Sequence, residues 1–170
     1  MRHRWEPLTA IIVLALTGSI GPVWAAEVSP GAVTVTFAAT NPELAVYRKG
    51  AKVTLHSASA QVEDTAERRL LNLYFSDLEN VDCQTAGATR VKGSSFVLRL
   101  TVYLPAKAAL APGKQDDLGI MFTTAAGLYF KVGSVGSVTI RQTLPAVTGT
   151  LALVDDNLKV AGDFTARLCK

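Results

Sequence analysis

The chain has 170 residues, 49% of them hydrophobic and 18% charged, with 17 Lys and Arg against 14 Asp and Glu for a net charge of +3. That apolar fraction is too high for a disordered chain, and that charge is too mild for a nucleic-acid-binding surface. Composition therefore leaves a folded globular domain.

Residues 1–25 read as a cleavable secretory signal peptide. Arg2 and Arg4 precede an apolar run from Leu8 to Ile20, which Gly21 and Pro22 break ahead of Val23-Trp24-Ala25. This is the order of charged, apolar and small-residue regions that a signal peptidase reads. We place the cut after Ala25, with Ala26 as the neighbouring alternative. The run falls short of the roughly 20 apolar residues that span a bilayer, so an uncleaved anchor is not expected. Without a Cys at the cut, a lipoprotein anchor is not expected either. Cleavage leaves one domain, residues 26–170, periplasmic or secreted, with no membrane span. Losing Arg2, Arg4 and Glu6 leaves 15 basic and 13 acidic side chains, a net charge near +2, and no nucleic-acid partner is expected.

Along this domain the hydrophobic period is two, the mark of strands with one buried face. Val33, Val35 and Phe37 alternate with Thr34 and Thr36 until Asn41-Pro42. Val53 and Leu55 alternate with Lys52, Thr54 and His56. From Ala58 to Arg69 good helix formers accumulate, and Ala58, Val62, Ala66 and Leu70 recur every four residues, so a short helix competes there with a hairpin. Leu71, Leu73 and Phe75 form the next apolar face. Phe96, Leu98, Leu100, Val102 and Leu104 form the longest one, and Pro105 ends it. Residues 106–117 read as a long surface connection. Ile120 and Phe122, then Val138 and Ile140, mark two further strands. Leu151 and Leu153 lead through Asp155-Asp156-Asn157 into Val160, Gly162, Phe164, Ala166 and Leu168, a hairpin. About seven to nine short strands separated by turns predict an all-β antiparallel sandwich, immunoglobulin-like or a similar Greek key.

The two cysteines, Cys83 and Cys169, are expected to pair once exported. An intermolecular bridge and two buried thiols are the alternatives. The intramolecular bond closes an 86-residue separation and contributes on the order of 4–5 kcal/mol in the chain-entropy account.

Reactive groups are sparse. His56, the only histidine after residue 25, falls on the polar parity of its strand, and no Gly-x-Ser-x-Gly elbow accompanies it. Zinc needs three or four Cys, His or acidic ligands, and the supply of Cys and His is too small. Asp116-Asp117 and Asp155-Asp156-Asn157 are candidate calcium ligands, but turn chemistry accounts for both. The glycines of residues 131–137 lack the lysine and helix of a phosphate-binding loop, and read as a bulged turn. The pairs Arg48-Lys49 and Arg68-Arg69 read as solvated strand ends. Tyr74 and Tyr103 take the parity opposite the apolar faces of their strands. With Tyr47 and Tyr129 they form a binding platform only where the fold brings them together. No catalytic residue, cofactor or metal is assigned.

The expected function is a non-catalytic binding, adhesion or accessory module, whose partner is another envelope or extracellular protein or a cell-surface ligand. A fimbrial or pilus-type structural subunit is the alternative. It shares the size, export and strand content, but such subunits carry an early cysteine near the first strand, whereas the first here is Cys83. A carboxylate-based hydrolase acting on cell-envelope material is a further alternative, for which Asp77, Glu79 and Asp82 are the nearest cluster of acids.

Overall fold

The computed structural model describes residues 31–37, 49–79, 81, 83, 96–124, 128–132, 136–155 and 158–169. The predicted signal peptide, with Ala25 and Ala26, lies outside them, as do Asn41-Pro42, Tyr47, Arg48, Asp82, Asp156 and Asn157. Eleven strands make up most of the described chain: β1 (Val33–Phe37), β2 (Lys52–Leu55), β3 (Ser57–Asp64), β4 (Arg68–Ser76), β5 (Phe96–Pro105), β6 (Gly113–Gln115), β7 (Leu118–Thr124), β8 (Leu128–Val132), β9 (Gly136–Gln142), β10 (Ala146–Val154) and β11 (Leu158–Cys169). No helix among the described residues is long and apolar enough to cross a membrane.

The alternating faces read from the sequence are the buried faces. Val33, Val35 and Phe37 of β1, Leu71, Leu73 and Phe75 of β4, and all five even-numbered positions of β5 from Phe96 to Leu104 lie in one hydrophobic core. Residues 58–69 form a hairpin, not a helix. Ser57–Asp64 pairs antiparallel with Arg69–Ser76, and the turn is closed by Thr65, whose hydroxyl donates to Arg68 O at 2.8 Å and accepts from Arg68 N at 3.0 Å. Ala58, Ala60 and Val62 also alternate, and burial of that face against the core overrides local helix propensity. The connection 106–117 contains a short strand, β6, which pairs with β9.

The architecture differs from the predicted antiparallel sandwich. All 11 strands belong to one sheet, in the order β6-β9-β10-β11-β3-β4-β5-β7-β8, with β1 and β2 branching from β11. The sheet is mixed, because β11 and β3 run parallel. It curls into a half-barrel around its apolar face. Phe37 of β1 meets Phe96 of β5 edge to face with ring centroids 5.9 Å apart. In a flat sheet those strands would stand at least three spacings apart, about 14 Å at roughly 4.8 Å each.

The pivot is β11. Its first residues pair with β1 and its last, Arg167–Cys169, with β3, while β10 lies along its other side. The continuous stretch β2–β3 thus runs parallel to β11, touches it at one end and splays from it at the other. β1 fills the gap, antiparallel to both neighbours, with Val33 opposite Gly162 on one side and Leu55 on the other. Gly162 has φ +141°, and a Cβ there would collide with the Ala32 carbonyl oxygen. Only glycine suits that conformation and that approach.

Candidate functional site

In a half-barrel of one sheet the inner face makes the core, and the outer face carries the opposite parity of each strand. On β3, β4, β5 and β7 that outer face is polar and substantially buried. The register sets Ser57, Ser76, Val97 and Thr123 in one row, Ser59, Tyr74, Arg99 and Met121 in the next, and Gln61, Asn72, Thr101 and Gly119 in a third. Asn72 is 1% exposed and Tyr74 8%.

Asn72 is the hub. Its Oδ1 accepts from Arg99 Nε at 3.3 Å, Arg99 Nη2 at 3.0 Å and Thr101 Oγ1 at 2.8 Å, and its Nδ2 donates to Glu63 Oε2 at 3.5 Å. Asparagine is depleted in strands, and a buried one is stable only with its polar atoms satisfied. The Arg99 guanidinium also stacks over the Tyr74 ring, 5.6 Å from its centroid. Burial pushes the Tyr74 phenol above its ordinary range; the Arg99 charge opposes that shift and Glu63 adds to it. Two rows away a second pair repeats the motif, with Arg68 5.5 Å from the Tyr103 ring and 3.2 Å from Asp117. Tyr103 needs Gly119 beneath it, because a Cβ there would lie 2.8 Å from the phenol oxygen.

Beside Tyr74 lies a shallow, water-sized cleft lined by Ser57, Ser59, Ser76, Val81 and Val97. The Ser57 hydroxyl is buried there with no hydrogen-bond partner among the described residues. The chain leaving β4 puts Val81 in this cleft, and Cys83 bonds Cys169 with S–S 2.05 Å and Cα–Cα 5.5 Å. The expected disulfide is therefore present. Because Cys169 neighbours Gln61, which neighbours Asn72, the bond fastens the chain after β4 to the row that holds the hub.

A second polar cluster lies on β9, β10 and β11. Asp163 accepts from Thr150 Oγ1 at 2.9 Å and from Arg141 Nη2 at 2.5 Å, and these contacts, Thr150 first, hold its carboxyl below the ordinary range. At the β3–β4 turn, the Arg69 hydrogen bond does the same for Asp64.

The sequence-predicted residues distribute as follows. Tyr74 and Tyr103 are on one face, as their parity requires, but stand four register positions apart, roughly 14 Å at about 3.4 Å per residue. Each takes an arginine in place of the other. The side chain of Tyr129 is not among those described. His56 is exposed at the junction of β2 and β3, and its N–H donates to Ser76 O at 2.8 Å. Asp77 and Glu79 follow β4 in a bend. Arg68 and Arg69 both pair with acids. Asp117 is engaged by Arg68, and Asp155 caps the β10–β11 turn through Leu158 N at 3.0 Å. No group of three or more His, Cys, Asp or Glu suited to a metal occurs among the described residues. Sequence reading missed Asn72, Arg99 and Thr101. The available signal was the run of polar types at outer positions of two consecutive, otherwise apolar strands. Comparison with known protein families, curated proteins and solved structures finds no match to this chain.

Proposed function

We propose that this protein is an exported, non-catalytic binding module, whose contact surface for an envelope or extracellular partner or a cell-surface ligand is the accessible part of the outer face of β3, β4, β5 and β7, half-buried Arg99, Met121 and Tyr103 with exposed Gln61 and Arg68. The observation that carries this reading is the Asn72 hub. It fixes the orientation of Arg99 and Thr101 on a face that the apolar core does not need. Buried polar networks rigidify the groups they join, and fixed orientation is what a recognition surface requires. Export is supported by residues 1–25 and by a disulfide of the kind that persists in oxidising compartments.

The test is native mass spectrometry of the protein recovered from the outer compartment of its host. The expected mass is residues 26–170 less two hydrogens, with a bound partner or ligand that Tyr74→Ala and Arg68→Ala variants release. A bare protein in every preparation would remove the binding reading.

A pilus-type subunit is the second reading, and the β1 slot favours it. The first strand of the mature chain sits between two parallel neighbours, where the β1 of another copy could pair in the same register. Concentration-dependent self-association of the intact chain, together with binding of a peptide of residues 31–37 by a chain lacking residues 26–37, would support this. A monomer at all concentrations would eliminate it.

A further inference from the structure

We infer that Arg99 is the recognition point for an oxyanion, a carboxylate or sulfate on a small polar ligand; this rests on the contact-face reading above. The arginines of the described residues divide sharply. Arg68, Arg69 and Arg141 each meet an aspartate, at 3.2, 2.6 and 2.5 Å, and Arg167 is exposed. Arg99 is half-buried in the middle of β5, and no carboxylate among the described residues pairs with it. Its hydrogen-bond acceptor is the neutral Oδ1 of Asn72.

A guanidinium carries five N–H donors. Asn72 takes one from Nε and one from Nη2, which leaves three along the Nη1–Nη2 end of the group. Two parallel N–H groups in that fork match the two oxygens of a carboxylate or sulfate. The Tyr74 ring lies against the guanidinium, with Cζ 5.6 Å from its centroid, and Thr101, donating to the same Oδ1, fixes the amide that aims it. The arginine thus meets the ligand already oriented and loses little side-chain freedom on binding. Glu63 lies on the far side of the hub, on the Nδ2 of Asn72, so the acid of the network does not occupy the fork. Its charge nevertheless opposes an incoming anion. Met121 is the register neighbour of Arg99 on β7 and contributes a half-buried apolar flank.

The experiment follows the Arg99 Nε–H and Asn72 side-chain amide resonances of the mature, oxidised protein during titration with glucuronate, glucose 6-sulfate and neutral methyl glucoside at constant ionic strength. Both signals should move saturably with one or both anions, which identifies the oxyanion source, and stay still with the neutral sugar. Arg99→Lys keeps the charge but loses the fork, and should weaken binding at least tenfold. Glu63→Gln, a change at an exposed site, should tighten it about twofold or more. Linear, non-saturating shifts shared by all arginines, or equal affinity in Arg99→Lys, would overturn the assignment. A ligand found by native mass spectrometry that stays bound to the Arg99→Lys protein would overturn it while leaving the binding face intact. Neither a bound ligand nor a saturable shift would overturn both.

Discussion

The side-chain carbonyl oxygen of Asn72 on β4 receives two hydrogen bonds from Arg99 on β5, at 3.3 and 3.0 Å, although the asparagine is 1% exposed and neutral. A third donor, Thr101, shares that oxygen at 2.8 Å. Asn72→Ala removes the acceptor and leaves buried donors unmet, which costs about 1–3 kcal/mol. Thr101→Val leaves Arg99 paired and should cost less, about 0.5–1.5 kcal/mol. Urea unfolding of Asn72→Ala, Arg99→Ala and the double variant will show a coupling between positions 72 and 99 well above the 0.3–0.5 kcal/mol or so expected of independent sites.

Stability should fall at both ends of the pH scale. Asp64 and Asp163 have folded pKa values below the ordinary 3.8, so in acid the unfolded chain takes up protons first. Their contribution is complete above pH 3.8 and disappears as pH falls through the lower folded values. Both are exposed, so the effect should shrink in high salt. Asp163→Asn should flatten the acid limb. Tyr74 is displaced the other way, upward from 10.0. Its contribution is complete below pH 10 and is lost as pH rises through the higher folded value, and Tyr74→Phe should abolish that alkaline component. Equilibrium unfolding across pH, with tyrosinate absorbance recorded in parallel, checks each limb.

The Cys83–Cys169 bond spans 86 residues and holds the chain after β4 beside the polar face. Replacing both cysteines by serine should lower stability by up to about 4–5 kcal/mol in the chain-entropy account. Amide hydrogen exchange should quicken first at Ser57, Ser59 and Leu168, near the tether, and last in β4 and β5.

Gly162→Ala tests the β1 slot. The substitution places a Cβ at φ +141° and against the Ala32 carbonyl, and backbone strain alone costs on the order of 1–3 kcal/mol. The expected result is a lowered unfolding midpoint with faster exchange at Val33, Val35 and Leu55, while the β4–β5 pairing stays protected. Uniform loss of protection across the sheet would mean that β1 is not a separable element.

Sequence by itself determined the all-β class, the buried face of nearly every strand, the β10–β11 hairpin and the cysteine pair. The first three follow from local information, because a strand with one buried face must alternate with period two, and the last follows from the chain having two cysteines. Period two reports that a face is buried but not against what, so it cannot distinguish a sandwich from a curled sheet. That choice lay with β11, whose 12 residues exchange β1 for β3 as partner, a pairing between residues about a hundred positions apart. The same holds for the contact face. Asn72, Arg99 and Thr101 are unremarkable polar residues until register sets β4 beside β5, and only then do one carbonyl oxygen and three donors converge. The segment 58–69 shows the limit from the other side, since its four-residue spacing favoured a helix locally and burial of Ala58, Ala60 and Val62 made it a strand. Tertiary structure decided these points because the energy that fixes them comes from partners far away in the chain.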